Sequence, residues 1–174
     1  MNLPNKLTIA RVIAVPVFVI LYKIGWIWPA GIVYILACLT DTADGYIARK
    51  QHITSNFGKI MDPLADKVLV YSAFCIFIED HIIPSWMLMV ILAREFIVAG
   101  VRAVAASQGN VIAAAWSGKI KTILQMIAVP MIVIDTKGMP GWWHVLSMIM
   151  LWASFIMTIY SGFEYTYKNR EVFK

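Results

Sequence analysis

The strongest structural constraint in this sequence is a series of six long apolar segments that cover most of its 174 residues. They span residues 8–24, 28–49, 60–83, 84–106, 119–134 and 142–163. Each is close to the roughly 20 residues needed to cross the hydrocarbon core of a bilayer. A backbone in hydrocarbon must satisfy its own hydrogen bonds, so each segment is expected to be an α-helix. The sequence therefore predicts an all-α polytopic membrane protein with six transmembrane helices, built as a single domain over residues 1–174.

The composition argues against the common alternatives to a membrane protein. The chain is 60% hydrophobic and 14% charged, whereas soluble domains average about 45–50% and about 25%. A water-soluble monomer and a disordered chain therefore both fit poorly. The net charge of +5 comes from basic residues that flank the apolar segments, so no nucleic-acid partner is expected. Cys38 and Cys75 lie inside apolar segments without metal-ligand spacing, and both are expected to be buried in the core.

The distribution of positive charge predicts the topology. If the N-terminus is cytoplasmic and the chain crosses six times, 13 of the 15 Lys and Arg residues fall on the cytoplasmic side. These are Lys6, Arg11, Arg49, Lys50, Lys59, Lys67, Arg94, Arg102, Lys119, Lys121, Lys168, Arg170 and Lys174. The other side keeps only Lys23 and Lys137 and carries Glu79, Asp80 and Asp135 in its turns. The positive-inside rule therefore places both termini in the cytoplasm.

Four aspartates interrupt the second and third apolar segments, at Asp41, Asp44, Asp62 and Asp66. An ionised aspartate at the centre of a membrane helix costs about 2.5–3.5 kcal/mol, so cations are expected beside them. The first two are spaced i,i+3 and the last two i,i+4, so each pair shares one helix face. A short connection makes the two helices antiparallel neighbours, and the pairs can face each other. Oxygen ligands in this arrangement favour two Mg²⁺ or Mn²⁺ ions, a combination used in phosphoryl-type displacements.

The residues between the aspartates suit a phosphate-bearing ligand. Gly45 and Ala48 lie within one turn of Asp44 and let a nucleotide or a neighbouring helix approach the backbone. Gly58 comes before the third apolar segment, where the first N–H groups of a helix can face a phosphate. Arg49 offers a planar fork for a phosphate or a base edge. Together these residues indicate a nucleotide or phosphate site beside the carboxylates.

Two other interpretations of the carboxylates stay open at this point. One is a buried ion-pair network with Arg49, Lys59 and Lys67. The other is a transporter of protons or metal ions that uses the same aspartates. Both account for charge within the membrane. Neither accounts for the aspartate spacing together with the small residues and Arg49.

The stretch from Asp41 to Asp66 resembles the signature of the CDP-alcohol phosphatidyltransferase family, D-x2-D-G-x2-A-R-x8-G-x3-D-x3-D, at all eight fixed positions. The resemblance implies a six-helix membrane fold, usually dimeric, with its active site facing the cytoplasm at the cell membrane. It also implies that the first three aspartates ligate two divalent metals. Asp66 would help to hold the second metal and act as the general base. Gly45, Ala48, Arg49 and Gly58 would then contact CDP-diacylglycerol.

Shorter segments resemble the bacterial branch of this family that uses glycerol-3-phosphate. They are residues 2–11, 94–96, 100–102 and 118–122. The implied substrates are CDP-diacylglycerol and glycerol-3-phosphate, and the implied products include CMP. The same family also contains cardiolipin synthases and phosphatidylinositol-phosphate synthases, and the signature does not choose between their acceptors.

The basic residues of the later segments give a physical reason for a phosphorylated acceptor. Such an acceptor brings a dianion beside a diphosphate, and this charge needs cations beyond the two metals. Four side chains from the fourth and fifth segments are predicted to supply them: Arg94, Arg102, Lys119 and Lys121. Each could instead be a membrane anchor or part of a structural ion pair. Asn5 and Thr8 are predicted to touch the donor headgroup, with a helix cap and interface anchor as the alternative.

Overall fold

The computed structural model describes the backbone of residues 3–51, 56–110, 112 and 115–170, and the side chains of residues 9–40, 64–65, 67–110, 112 and 115–170. Six α-helices and no β-strand occur in these described residues. The helices are α1 (Leu3–Lys23), α2 (Ile27–Gln51), α3 (Asn56–Glu79), α4 (Ser85–Ser107), α5 (Trp116–Asp135) and α6 (Gly141–Lys168). The prediction of an all-α fold built on six helices is confirmed.

Schellman caps end α1 and α3 and set the two turns that follow them. After α1, the amides of Gly25 and Trp26 donate to the carbonyls of Tyr22 and Leu21, and Gly25 has a φ of 80°. After α3, His81 occupies the same left-handed position, with a φ of 58°. Left-handed residues of this kind satisfy the last carbonyls of a helix and stop it. For this reason α3 ends at Glu79, four residues before the predicted boundary.

The helices form one bundle in which α2, α3 and α5 are the most widely connected. The α1 helix packs on α2 and α3, and α6 packs on α5 and α4. The α5 helix also contacts α2 and α3, and α3 contacts α2 and α4. Aromatic and aliphatic side chains fill the space between them, with the rings of Phe18 and Tyr34 5.6 Å apart and Phe74 and Phe77 fully buried. Burial of this apolar core is the main stabilising contribution to the bundle.

The two ends of the bundle differ in their polar contacts. At the end that carries the Gly25 and His81 turns, here called the turn end, the hydroxyl of Tyr22 donates to Asp80 at 2.7 Å. Lys23 pairs with Glu79 at 2.7 Å at the same end. The opposite end holds the last turn of α2 and the first turn of α3, and is called the motif end. These contacts fix α1 and α3 side by side with their last residues level.

Large apolar side chains cover much of the outside of every helix. Examples are Ile20, Leu39, Met89, Ile123 and Ile156, each at least 55% exposed. Soluble monomers rarely expose apolar surface on this scale. Two helices, α5 and α6, are long and apolar enough to cross a membrane by length and composition alone, within the described part of the chain.

One sequence prediction about the core is wrong. Cys38 is buried as expected, but Cys75 is exposed. Cys75 follows the exposed residues Leu64 and Val68 at helical spacing, so the three side chains share the outward face of α3. The apolar context of a cysteine in the sequence did not distinguish an inward face from an outward one.

Small hydroxyl residues line the buried face of α6. Ser147, Ser154, Thr158 and Ser161 are all fully buried. Each donates its hydroxyl hydrogen bond to a carbonyl of α6 itself, at 2.7–3.0 Å. Their small volume allows neighbouring helices to approach closely, and none of these four hydroxyls needs a hydrogen-bond acceptor on another helix.

Candidate active site

The four signature aspartates lie on the two helices that were predicted to carry them. Asp41 and Asp44 belong to α2, and Asp62 and Asp66 belong to α3. Because both segments are helical, the spacings correspond to rises of about 4.5 Å and 6 Å along each axis. The two helices contact each other. The four side chains lie outside the described ones, so their role as metal ligands stays a prediction.

The predicted donor-binding residues are also placed only by their helices. Asn5 and Thr8 lie on α1, Gly45, Ala48 and Arg49 on α2, and Gly58 on α3. Gly58 lies in the first turn of α3, because that helix begins at Asn56. A first-turn position is where backbone N–H groups lack a helical partner and can bind an anion. The side chains of these residues lie outside the described ones, and their contacts with a donor stay predictions.

The described side chains of α3, α4 and α5 meet in a cluster of charges around Glu95. Glu95 Oε1 accepts hydrogen bonds from Arg94 Nη1 at 2.9 Å and from Lys121 Nζ. Glu95 Oε2 pairs with Lys67 Nζ at 3.1 Å. We call Lys67, Arg94, Glu95 and Lys121 the Glu95 cluster. Counting these four side chains alone, three cations surround one carboxylate, and the net charge is +2.

The Glu95 cluster is largely shielded from the surroundings of the chain. The exposed fraction of the side chain is 6% for Lys121, 11% for Glu95, 13% for Arg94 and 41% for Lys67. Electrostatic interactions are stronger in such surroundings than in water, and unpaired charge is more costly. A net positive cluster of this kind is therefore suited to an anion.

The side chain of Arg94 passes against glycines of two neighbouring helices. A Cβ atom added at Gly162 of α6 would meet Arg94 Cγ at 2.9 Å, and one added at Gly118 of α5 would meet Arg94 Nη2 at 3.4 Å. Both glycines therefore leave space for the arginine. The Nε of Arg94 is buried and has no hydrogen-bond partner in the described structure. A buried donor without a partner is unfavourable, and an anion at this position would satisfy it.

The other two predicted acceptor residues have aromatic partners. Arg102 Nε donates to the Tyr165 hydroxyl at 3.1 Å, and the guanidinium lies 5.4 Å from the centre of the Tyr165 ring. Lys119 Nζ lies 4.8 Å from the centre of the Trp116 ring. The structure thus brings Arg94 and Lys121 together around Glu95. The described contacts of Arg102 and Lys119 are with these rings, and their roles toward an acceptor stay predictions.

Further polar contacts tie the motif ends of α4, α5 and α6 together. Ser117 of α5 donates a hydrogen bond to Glu164 of α6, which also pairs with Lys168 one turn later. The Arg102–Tyr165 contact joins α4 to α6 at the same end. These contacts hold the helices that carry Arg94 and Lys121 in a fixed relation.

Sequence reasoning allowed a structural ion pair at Arg94, which the contact with Glu95 bears out. It missed that Glu95 also binds Lys67 and Lys121. Glu95 is the only acidic residue in the apolar segment 84–106, which is the signal that could have drawn attention to it. Lys67 was considered as a partner for the aspartates, and its described contact is with Glu95. Arg11, counted above among the basic residues of the cytoplasmic side, is only 2% exposed.

Within the described ranges, no group of three or more His, Cys, Asp or Glu side chains could hold a metal ion. The donor set that the sequence assigns to a metal is the four aspartates of α2 and α3. Carboxylate oxygens on neighbouring helices match the ligand preference of Mg²⁺ and Mn²⁺. The chemistry of the donor set therefore fits a pair of divalent cations, whose presence stays a prediction.

The family profile of the CDP-alcohol phosphatidyltransferases matches residues 1–160. The chain belongs to the CDP-alcohol phosphatidyltransferase family. This match covers both aspartate pairs and the whole Glu95 cluster of the transferase. The family recognised from the signature is confirmed.

Three relatives of this phosphatidyltransferase match it over almost their whole length. Each is named CDP-diacylglycerol–glycerol-3-phosphate 3-phosphatidyltransferase. The protein of Bacillus subtilis (strain 168) is 39% identical, over 99% of this chain and 97% of the relative. That of Rickettsia typhi is 36% identical, over 94% of each chain. That of Sodalis glossinidius is 30% identical, over 98% of this chain and 96% of the relative.

Proposed function

We propose that this protein transfers the phosphatidyl group of CDP-diacylglycerol to a hydroxyl of sn-glycerol-3-phosphate. The products are phosphatidylglycerophosphate and CMP, which makes the enzyme part of phospholipid biosynthesis. Relatives that carry this activity in their names match the chain over nearly its full length. The Glu95 cluster supplies the physical support from the chain itself.

The observation that carries the acceptor assignment is the charge of the Glu95 cluster. Its three cations and one carboxylate leave a net charge of +2 on these side chains. A phosphate monoester carries about −1.5 to −2 at pH 7. The two charges are complementary, and the low exposure of Lys121 and Arg94 strengthens the attraction. A neutral acceptor such as glycerol would leave this positive charge uncompensated.

Arg94 and Lys121 are the side chains assigned to the acceptor phosphate with the most structural support. Arg94 has a buried Nε without a partner, so a phosphate oxygen would complete its hydrogen bonding. Lys121 Nζ has one described partner, Glu95 Oε1, and an ammonium group has three donors. Arg102 and Lys119 are proposed as additional cations around the acceptor.

Asp41, Asp44, Asp62 and Asp66 are proposed to hold two Mg²⁺ or Mn²⁺ ions. When bound, the ions would neutralise charge on the phosphate under attack and on the departing CMP. Gly45, Ala48, Arg49 and Gly58 are proposed to bind the CDP part of the donor, together with Asn5 and Thr8 of α1. The helical positions of all these residues are compatible with this assignment, because they belong to three helices that contact one another.

The chain's own residues account for the proton and the orientation of the acceptor. Asp66 accepts the proton of the attacking glycerol hydroxyl. The hydroxyl oxygen forms a bond to the phosphorus that carries diacylglycerol, and the bond from that phosphorus to the CMP oxygen breaks. Arg94 and Lys121 hold the acceptor phosphate so that the hydroxyl is presented to Asp66. Positioning and electrostatics are the main catalytic contributions in phosphoryl transfer generally.

The enzyme is proposed to be a multi-pass protein of the cytoplasmic membrane with six membrane-crossing helices and both termini in the cytoplasm. Support comes from the apolar outer faces of the helices and the distribution of basic residues in the sequence. The motif end would then face the cytoplasm. A homodimer is proposed from the family resemblance.

A panel of acceptors tests the proposed function directly. Purified protein is incubated with CDP-diacylglycerol and Mg²⁺, and CMP release and product mass are followed with each acceptor. Glycerol-3-phosphate should support release, whereas glycerol should not. Release with phosphatidylglycerol in place of glycerol-3-phosphate would identify a cardiolipin synthase, and release with inositol phosphate a phosphatidylinositol-phosphate synthase. A complete lack of CMP release with every acceptor would overturn the proposed function.

A further inference from the structure

We infer that Glu95 is a positioning residue for the acceptor phosphate, an inference that rests on the proposed function. Glu95 lies between three cations from three helices and is the only anion among the described side chains of the cluster. The two carboxylate oxygens of Glu95 contact different cations. One oxygen orders the phosphate-binding cations, and the other connects them to the helix of the general base.

The first oxygen, Oε1, holds Arg94 and Lys121 together. It accepts a hydrogen bond from each of them. Without a shared anion, two buried cations would repel each other and separate, because opposite charge is what compensates their burial. Glu95 thus keeps two cations within reach of one phosphate and removes the freedom of two long side chains before the acceptor arrives. Preorganisation of this kind improves binding without adding a contact to the ligand.

The second oxygen, Oε2, links the cluster to α3 through Lys67 at 3.1 Å. Lys67 directly follows Asp66 in the sequence, and both belong to α3. Glu95 therefore connects the phosphate-binding side chains of α4 and α5 to the helix that carries the proposed base. This connection would fix where the phosphate-binding side chains lie relative to α3 and its Asp66.

Electrostatics and positioning predict opposite effects when the charge of Glu95 is removed. Glu95→Gln raises the net positive charge of the cluster by one. If the only effect of Glu95 were to reduce the net positive charge, the variant would bind a phosphate dianion more tightly, and KM for glycerol-3-phosphate would fall. If Glu95 positions the cations, KM for glycerol-3-phosphate rises in spite of the added charge.

The test compares kcat and both KM values for wild type, Glu95→Gln, Glu95→Asp and Glu79→Gln. Glu79 is the matched control, since it pairs with Lys23 at 2.7 Å at the turn end. Glu95→Gln should raise KM for glycerol-3-phosphate by about tenfold, in line with the loss of a charged hydrogen bond, and leave KM for CDP-diacylglycerol unchanged. Glu95→Asp keeps the charge and should restore part of the loss, and Glu79→Gln should behave as wild type.

An unchanged or lowered KM for glycerol-3-phosphate in Glu95→Gln would overturn the inference. Equal rises in both KM values would also overturn it, because a structural role would disturb both substrates. If Glu95→Gln does not fold, Glu95→Asp is judged by the same two criteria. Wild type separates this inference from the proposed function: if wild type uses another phosphorylated acceptor, the proposed function fails, and the variants are compared with that acceptor.

Discussion

The position of the Arg94 side chain depends on two glycines, Gly162 and Gly118, whose lack of a side chain leaves space for it. Its stem crosses the backbone of α6 at Gly162 and its guanidinium reaches Gly118 of α5. A larger residue at either position would compete for the same space. Gly162 is the tighter of the two, since an added Cβ would come within 2.9 Å of Arg94 Cγ. The Cγ atom lies close to the backbone of Arg94 and has little freedom to move aside.

Gly162→Ala should therefore displace Arg94 and raise KM for glycerol-3-phosphate by about tenfold, the cost of a misaligned charged hydrogen bond. Steady-state kinetics with both substrates measures the effect, and KM for CDP-diacylglycerol should stay near wild type. Gly141→Ala is the control, because an added Cβ at this position of α6 meets nothing within 4 Å. Identical acceptor kinetics in the two variants would contradict the placement of Arg94.

The carboxylates of the signature give a second prediction at this scale. Asp41→Asn, Asp44→Asn and Asp62→Asn should each remove most of the activity while the protein still inserts into the membrane, because an amide is a poorer ligand for a hard divalent cation. A chelator should abolish wild-type activity, and Mg²⁺ or Mn²⁺ should restore it. Asp135→Asn, at an aspartate that contacts His144 at 2.6 Å, is the control and should remain active. Full activity in excess chelator would exclude the two-metal mechanism.

Asp66 is predicted to differ from the other aspartates in its kinetic effect. Loss of a general base lowers kcat, whereas loss of a uniform binding contact mainly raises KM. Asp66→Asn should therefore cut kcat sharply at saturating metal, with a smaller change in KM for glycerol-3-phosphate. Measurements across a metal titration separate lost metal affinity from lost proton transfer. A kcat restored to the wild-type value by high metal would leave Asp66 as a ligand only.

At the scale of helices, the apolar pattern predicted the number of elements and most of their boundaries. At two boundaries that differ, specific contacts accompany the difference: the left-handed turn at His81 ends α3 early, and contacts with other helices accompany the longer α6. The α6 helix continues five residues beyond the predicted end at Phe163, and Glu164 and Tyr165 in this extension have partners on α5 and α4. Hydropathy alone cannot detect such contacts, because they depend on residues that are distant in sequence.

The Glu95 cluster illustrates the same limit for the site. The signature placed the aspartates on two helices because their spacing is local. The meeting of Lys67, Glu95 and Lys121 depends on how α3, α4 and α5 pack, and no local pattern encodes that arrangement. The basic residues could be recognised from the sequence as candidates for binding a phosphate. The sequence did not show that Arg94 and Lys121 contact Glu95, whereas Arg102 and Lys119 contact aromatic rings.

The contact between α4 and α6 gives a prediction for stability. Tyr165→Phe removes the hydroxyl that accepts from Arg102 at 3.1 Å but keeps the ring below the guanidinium. The free energy of unfolding should fall by about 1 kcal/mol, the usual net value of one such hydrogen bond, while kcat stays close to wild type. Tyr167→Phe is the control, since Tyr167 is 71% exposed. Thermal denaturation in one detergent compares them, and equal stabilities would show that the Arg102 contact contributes little.

At the scale of the whole molecule, the exposed apolar surface and the exposed tryptophans agree with the proposed membrane orientation. Trp26, Trp28, Trp86 and Trp142 are each about half exposed or more, and all lie near the turn end. Tryptophan is enriched at both membrane interfaces, so these residues indicate that the turn end lies at an interface, and Trp116, 77% exposed, lies at the motif end. The distribution of Lys and Arg in the sequence is what assigns the motif end, and with it the approach to the Glu95 cluster, to the cytoplasmic side in the proposed topology.

Reporter tags test this orientation. Tags at both termini and between Lys50 and Lys59 should report a cytoplasmic position, because most Lys and Arg residues would lie on that side. Tags next to Asp80 and Lys137 should report the opposite side. A cytoplasmic signal from a tag at Asp80 would refute the six-span topology, whatever the catalytic measurements show.

The self-contained hydroxyls of α6 have a consequence for the order of biosynthesis. In the proposed membrane topology, α6 is synthesised after the other five helices and enters lipid before it packs against them. Its buried Ser and Thr hydroxyls donate hydrogen bonds to backbone carbonyls of α6. These four hydroxyls would therefore be satisfied in lipid even before α6 packs against the other helices. The charges of α4 are compensated in a similar way, since Arg94 and Glu95 of this helix form an ion pair at 2.9 Å. In the proposed topology, α4 would therefore enter the membrane with this ion pair formed before α5 adds Lys121 to it.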